Sequence, residues 1–450
     1  MSAGLADSAR RIAPLAWPVL VGQLSVLAFA TVDTALLARF GATDLAALAV
    51  GAAAYVTTFI GFMGVILAIG PIVGQLYGAG RLADAGRQLH QAAWIALGLA
   101  AVGSTLLLFP APFLALSKVT PEVELRVRGY LMALACSLPA SLLFAAYRGF
   151  NVAVSRPKAV MALQIAGLAV KVPLSVLLIF GVPALHLPAL GAVGCGIATC
   201  IAMWAQALAA WWVLRRDPFY APFAIGGRGL DSPDRRAIAT QLKLGIPMGG
   251  AILVEVTGFA FMAIFIARLG TTAVAGHQIV ANLVSVLFMV PLAIANGAST
   301  LVAQRIGAQD LPDARRLGWH ALLIGGGLAA VTGSAVYAGR EAIVGLYTQD
   351  AAVAAVALSL LAWVVVFHVG DAAQAVASFV LRAWRIATIP LVINASALWG
   401  VGLAGGYALA FAGGQGAPGF WIAATAGIVL TGVVLSLYLG WVLRRQARRA

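Results

Sequence analysis

The sequence predicts an all-α polytopic membrane protein, twelve transmembrane helices arranged as two pseudo-symmetric six-helix lobes around a shared cleft. Three observations carry this. Of the 450 residues, 62% are hydrophobic and only 10% are charged, where an ordinary soluble domain has roughly 25% charge. Apolar segments long enough to cross a bilayer as helices recur along the whole chain. The second half then repeats the first in register.

Taken in order, the spanning segments fall at 13–38, 45–70, 88–109, 127–147, 159–181 and 190–214, then at 241–267, 273–297, 317–338, 352–380, 388–411 and 420–443. The N-terminus, MSAGLADSARRIAPLAW, has no A-x-A cleavage site after a short apolar region, and the first segment, which begins within it, runs on to full spanning length, so it is read as a retained helix. Between the sixth and seventh lies RRDPFYAPFAIGGRGLDSPDRRA. Its Pro, Gly and paired charges read as a linker with a short surface stretch. The expected organisation is therefore an N-terminal lobe over 1–214, a cytoplasmic linker over 215–237 and a C-terminal lobe over 238–450.

Placing the N-terminus in the cytoplasm and alternating sides puts 22 of the 29 Lys and Arg on the inside. Six fall outside, Arg39, Lys118, Arg126, Arg128, Arg268 and Arg340, and Lys171 lies within a helix. This imbalance predicts both termini cytoplasmic in a bacterial inner membrane. It also accounts for the net charge of +14 without nucleic acid, since the basic residues sit between apolar segments and form no aromatic-interleaved patch. Cys136, Cys195 and Cys200 all lie in apolar segments without a C-x-x-C pair, so neither a disulfide framework nor a structural zinc site is indicated.

Sliding the chain by 229 residues lays Pro18 on Pro247, Ala38-Arg39 on Ala267-Arg268, Gly41 on Gly270, Gln75 on Gln304, Gly78 on Gly307, Asp84 on Asp313 and Arg87 on Arg316. Six helices per repeat give both copies the same orientation. The axis relating them then runs along the membrane normal, with the transport pathway at their interface.

Three acids fall inside spanning segments: Asp33, Glu255 and Asp371. An ionised side chain at mid-membrane costs at least ~2.5–3.5 kcal/mol on insertion scales, so such residues mark ion or substrate pathways. They break the repeat, because the offset sets Val26 opposite Glu255 and Met262 opposite Asp33, while a later offset of about 234 sets Ser137 opposite Asp371. That is expected of side chains added for coupling to a duplicated frame; the competing role is a protonated helix-packing donor. Counted along their helices at ~1.5 Å per residue, Glu255 and Asp371 both come out near the midplane. Two carboxylates in one low-dielectric site share a proton or bind a cation such as Na⁺. An organic cation competing for that negative charge would be exchanged against the ion, which is antiport by mutual exclusion.

Gln278, Asn282, Gln374 and Ser175 are candidate supporting polar residues, and His277 is read as an interfacial residue of the outer surface. Pro139, Pro173, Pro291 and Pro390 free backbone carbonyls inside spanning segments. Tryptophans such as Trp204, Trp363, Trp399 and Trp421 fit interfacial belts and lipid-facing packing.

GIPxxxxxLVEV at Gly245 to Val256, AGHQIVANLVSVLFMVPLAIANG at Ala275 to Gly297 and DAAQAVASFVLR at Asp371 to Arg382 resemble the multidrug and toxic-compound extrusion (MATE) transporters. VDTALLARFG from Val32 and GQLYGAG from Gly74 match the same family. The acids in the first, seventh and tenth helices make the resemblance specific to the NorM-like branch. It implies a V-shaped, two-lobed antiporter that exports cationic or amphipathic compounds in exchange for H⁺ or Na⁺. No cofactor is implied. Glu255 and Asp371 would bind the coupling ion, a transient Na⁺ included, and Asp33 would serve the N-terminal lobe. The partners implied are small-molecule substrates and the bilayer, and a monomer is expected to suffice. A flippase of lipid-linked precursors, from the same superfamily, is the alternative; it calls for more basic residues in the cleft than Lys171. An intramembrane enzyme would need a motif such as HExxH or GxSxG, and none is present.

One departure from the family that the chain resembles matters: Lys171 stands in the fifth helix where that family often carries Asn, followed by Ser175. Phe367, one turn before Asp371, supplies no oxygen ligand. Asp33 and Lys171 differ in estimated depth by ~7–8 Å at 1.5 Å per residue, a gap a lysine side chain can largely close. The expectation is a Lys171–Asp33 pair, with snorkelling of the lysine to an interface as the competing outcome.

Overall fold

The computed structural model describes residues 4–111, 113–114, 120–183, 187–226 and 229–447. Lys118 and Arg228, both assigned to loops from the sequence, lie outside the described residues. Among the described residues, twelve helices are long and apolar enough to cross a membrane. The only β pairing there is the isolated bridge of Val182 with Leu187. The fold is all-α.

In chain order the helices are α1 (Leu5–Phe40), α2 (Ala42–Ile66), α3 (Ile69–Gly78), α4 (Leu82–Leu108), α5 (Pro121–Ala153), α6 (Pro157–Phe180) and α7 (Gly191–Arg216). They continue with α8 (Arg235–Ala267), α9 (Thr271–Gly307), α10 (Leu311–Ala338), α11 (Arg340–Tyr347), α12 (Ala351–Leu361), α13 (Val364–Ala383), α14 (Thr388–Asn394) and α15 (Gly416–Ala447). Buried or loop acids cap particular helix starts: Asp350 accepts from the amides of Ala352 and Val353, and Asp44, 3% exposed, accepts from Ala192 at the start of α7. Prolines in first turns, such as Pro121 and Pro157, occupy positions whose amide would be unbonded anyway. Pro390 is of this kind too, in the first turn of α14 rather than in a helix interior.

Two stretches depart from a regular α-helix. The tenth segment, expected as one helix over 352–380, is two helices, α12 and α13, separated by Ala362 and Trp363. No Gly or Pro marks that break in the sequence. The eleventh starts as α14 and widens into π-helical turns over Ala395–Ala404 and Ala408–Ala412. Gly400, Gly402, Gly405 and Gly406 sit in or beside these turns, and Gly427 of α15 packs against the Ala397 carbonyl so closely that a Cβ there would stand 2.9 Å from the oxygen. Small residues allow backbones to approach this way in membrane bundles.

The chain divides into two compact units, Val21–Gly249 and Met1–Leu20 with Gly250–Ala450. In the first, α5 is the buried centre, packed against α2, α4 and α7. Tyr130 of α5 wedges between Gly51 and Gly196, where added Cβ atoms would stand 2.5 Å and 3.0 Å from its ring. The stretch between α7 and α8 is part of this unit and docks on it. Pro218–Phe223 forms a 3₁₀ turn that buries Tyr220 and Phe223, and Gly86 of α4 lies directly against the Phe223 carbonyl. Tyr220 donates to Asn151 Oδ1 at 2.5 Å, and Trp94, His90 and Gln91 bind the backbone of Asp231, Ser232 and Asp234.

In the second unit α13 is the buried centre, packed against α9, α10 and α15. The start of α1 is held there by a two-pronged pair, Arg11 to Asp313, with N···O distances of 3.1 Å and 2.8 Å. Ser8 adds a 2.7 Å bond to His320.

Candidate functional site

Glu255 sits on α8 against a cavity of about 30 Å³ that is otherwise apolar, lined by Phe259, Met262, Phe367, Leu398 and Ile428 among others. That volume suits a water or a small ion and excludes an organic substrate. Trp399 donates 2.9 Å to the Val254 carbonyl and Thr257 donates 2.5 Å to that of Leu253, so the turn before Glu255 is tied from outside the backbone ladder.

Asp371 lies one turn beyond Phe367 on α13 and is 4% exposed. The structure brings its carboxyl within electrostatic reach of Glu255. Residues 371, 374, 378 and 382 share one face of α13 at helical spacing. They form a buried polar stripe of Asp371, Gln374, Ser378 and Arg382. Gln374 Oε1, Ser378 Oγ and, on α14, Asn394 Oδ1 are buried without a hydrogen-bond partner. Buried oxygens left unpaired in this way cost free energy unless they have a use, such as solvating an ion or a water.

Arg382 is the residue that sequence reasoning missed. The segment bounds 352–380 leave it in the loop after the tenth span, yet it lies within α13, 7% exposed, its guanidinium 4.3 Å over the Phe379 ring. It is within electrostatic reach of Glu255. The 371/374/378/382 periodicity was the available signal.

Gln278 and Asn282 are exposed on α9, and Asn282 accepts a 3.0 Å bond from Tyr347. Neither is brought to the two acids by any hydrogen bond among the described residues. His277, expected at the outer interface, is instead 2% exposed and accepts a 3.2 Å bond from Trp421, which is itself fully buried. The imidazole and indole satisfy each other inside the helix packing, which removes the need for headgroup contact.

In the other unit, Lys171 Nζ of α6 lies 2.5 Å from Asp33 Oδ2 of α1. The ammonium also stands 4.7 Å from the centre of the Phe29 ring. Ser175, one turn after Lys171, is fully buried, and both its Oγ and Asp33 Oδ1 lack a hydrogen-bond partner. Snorkelling does not occur: Lys171 is 1% exposed.

The MatE family model matches the chain twice, over residues 18–177 and 247–408, with starts 229 residues apart, the same offset that relates the two halves. A probable multidrug resistance protein NorM of Aromatoleum aromaticum is 40% identical over 96% of this chain and 93% of its own length. The multidrug resistance protein NorM of Aliivibrio fischeri is 32% identical over 97% of this chain and 95% of its own. Among solved structures, the eukaryotic MATE transporter AtDTX14 superposes with a TM-score of 0.89 at 20% identity, covering 99% of both chains. The bent form of the Vibrio cholerae MATE transporter VcmN gives 0.85 at 20% identity, covering 98% of both.

Proposed function

The chain belongs to the MatE family of membrane transporters, and we propose that it is a multidrug efflux antiporter exporting organic cations or other amphipathic compounds in exchange for H⁺ or Na⁺ by alternating access. Glu255 and Asp371 bind the coupling ion. The observation that supports this reading is that two buried carboxyls lie within electrostatic reach of each other, one of them, Glu255, against an otherwise apolar cavity of about 30 Å³. Such a site holds a proton or a small cation and cannot admit the exported compound, so exchange works through charge: an ion bound there cancels the negative field that attracts an organic cation. The chain works as a monomer in the inner membrane with both termini cytoplasmic.

The test is efflux of a fluorescent organic cation from inverted vesicles driven in turn by a Na⁺ and a proton gradient. Glu255→Gln and Asp371→Asn should each lower gradient-driven export about tenfold or more, the size of a coupling free energy of about 1–3 kcal/mol, with protein still present in the membrane. Near-normal export by both variants would reduce the acids to helix packing.

A further inference from the structure

The two units hold their membrane acids differently. Around Asp33 four helices converge: Phe29 precedes it by one turn on α1, Lys171 comes from α6, Cys195 of α7 lies beside the carboxyl, and Tyr130 of α5 is within electrostatic reach. The ammonium is in direct contact with the carboxylate, with 2% and 8% of the two side chains exposed. Glu255 has the Arg382 guanidinium within electrostatic reach, but Arg382 makes no ion pair with Glu255 or Asp371 among the described residues. With the carboxyls, Lys171 and Arg382 ionised and the Cys195 thiol and Tyr130 phenol neutral, the Asp33 centre carries no net charge and the Glu255–Asp371 centre keeps a negative one.

We infer that Lys171 is a tethered counter-ion that holds the place of an exchangeable cation at Asp33, closing the Val21–Gly249 unit to ion exchange and leaving Glu255 with Asp371 as the exchanging pair. The inference rests on the ion-binding reading of those two acids given above. An ammonium on its own chain cannot diffuse away, so no free ion at ordinary concentration displaces it. A second cation entering beside it would leave an uncompensated positive charge in a low-dielectric interior. The geometry also shows what the lysine holds back. Asp33 Oδ1 is a buried acceptor with unused capacity, as is Ser175 Oγ one turn along α6 from Lys171, and once the ammonium is gone both carboxylate oxygens of Asp33 would be open to a small cation. Lys171 is thereby a specificity-determining residue: it decides how many ions the chain can exchange.

The full-length protein carrying Glu255→Gln and Asp371→Asn isolates the Asp33 centre. Its melting temperature, followed while Na⁺ or K⁺ replaces choline at constant ionic strength, should stay flat. Adding Lys171→Ser should produce a saturable rise of about 2–4 °C with one of the inorganic cations, as expected for a ligand that binds only the folded state. Adding Asp33→Asn as well should abolish that rise. The inference falls if the starting double variant already responds to the ion, or if the Lys171→Ser protein shows no response. It also falls if that protein does not fold in any salt, with or without Asp33→Asn, because a small cation should rescue a site shaped to take one. The readout is binding at Asp33 in a protein lacking both C-terminal acids. It is therefore separate from the efflux experiment that decides the role of Glu255 and Asp371.

Discussion

Lys171 Nζ and Asp33 Oδ2 lie 2.5 Å apart, joining α6 to α1 across 138 residues of chain, at a depth where almost no side-chain surface is exposed. Breaking a buried pair strands one charge and costs about 3–5 kcal/mol, whereas removing both charges leaves nothing unpaired. Lys171→Met or Asp33→Asn alone should therefore lower thermal stability and yield far more than the double variant does. Additive losses in that double-mutant cycle, measured by thermal unfolding in detergent, would show that the two groups act independently.

The strap between α7 and α8 should be as sensitive as a core. A side chain at Gly86 would drive into the Phe223 carbonyl, and backbone cannot rotate away as a side chain can. Gly86→Val should cost about 1–3 kcal/mol or more by overpacking. Tyr220→Phe removes the donor to Asn151 Oδ1 in a site where Tyr220 is 1% exposed, leaving a buried acceptor unpaired at about 1–3 kcal/mol. A melting temperature unchanged in both variants would mean that the strap is loosely held.

Asp217 gives the strap an acid limit. The amide of Phe219 and then Arg156, 2.5 Å away, hold its carboxyl below the ordinary carboxylate range. A depressed folded value means the contribution is complete above the unfolded pKa of about 3.9 and is lost as pH falls through the lower folded one. The stability difference between the parent chain and Asp217→Asn should hold steady through neutral pH and close only below about pH 4. A difference that closes near neutrality would point to another group. The pair is about one-third exposed, so the effect should be small and salt-sensitive.

Sidedness can be read by labelling. Arg81, between α3 and α4, and Glu122, at the start of α5, are 64% and 67% exposed, so a cysteine at either is reachable by reagent. An impermeant maleimide should label Arg81→Cys only from the cytoplasmic side and Glu122→Cys only from outside. The reverse pattern would invert the orientation drawn from the basic residues.

The sequence by itself determined the class of protein, the twelve spans, the 229-residue repeat and the acids worth asking about. Each of these is written locally: hydropathy over one helix length, register along one chain, the cost of one charge in an apolar run. What only the tertiary structure decided is which faces meet. Depth along a helix axis could be counted for Asp33 and Lys171, but their contact also needed the rotation of α1 and α6 about their own axes. Those rotations are set by packing among many helices, of the kind that seats Tyr130 between Gly51 and Gly196. The same limit hid Arg382 inside α13, buried His277 against Trp421, broke the tenth segment at Ala362–Trp363 and folded a linker of loop composition onto α4. Contacts between residues a hundred or more positions apart depend on the sum of all the packing. No window of sequence contains that sum.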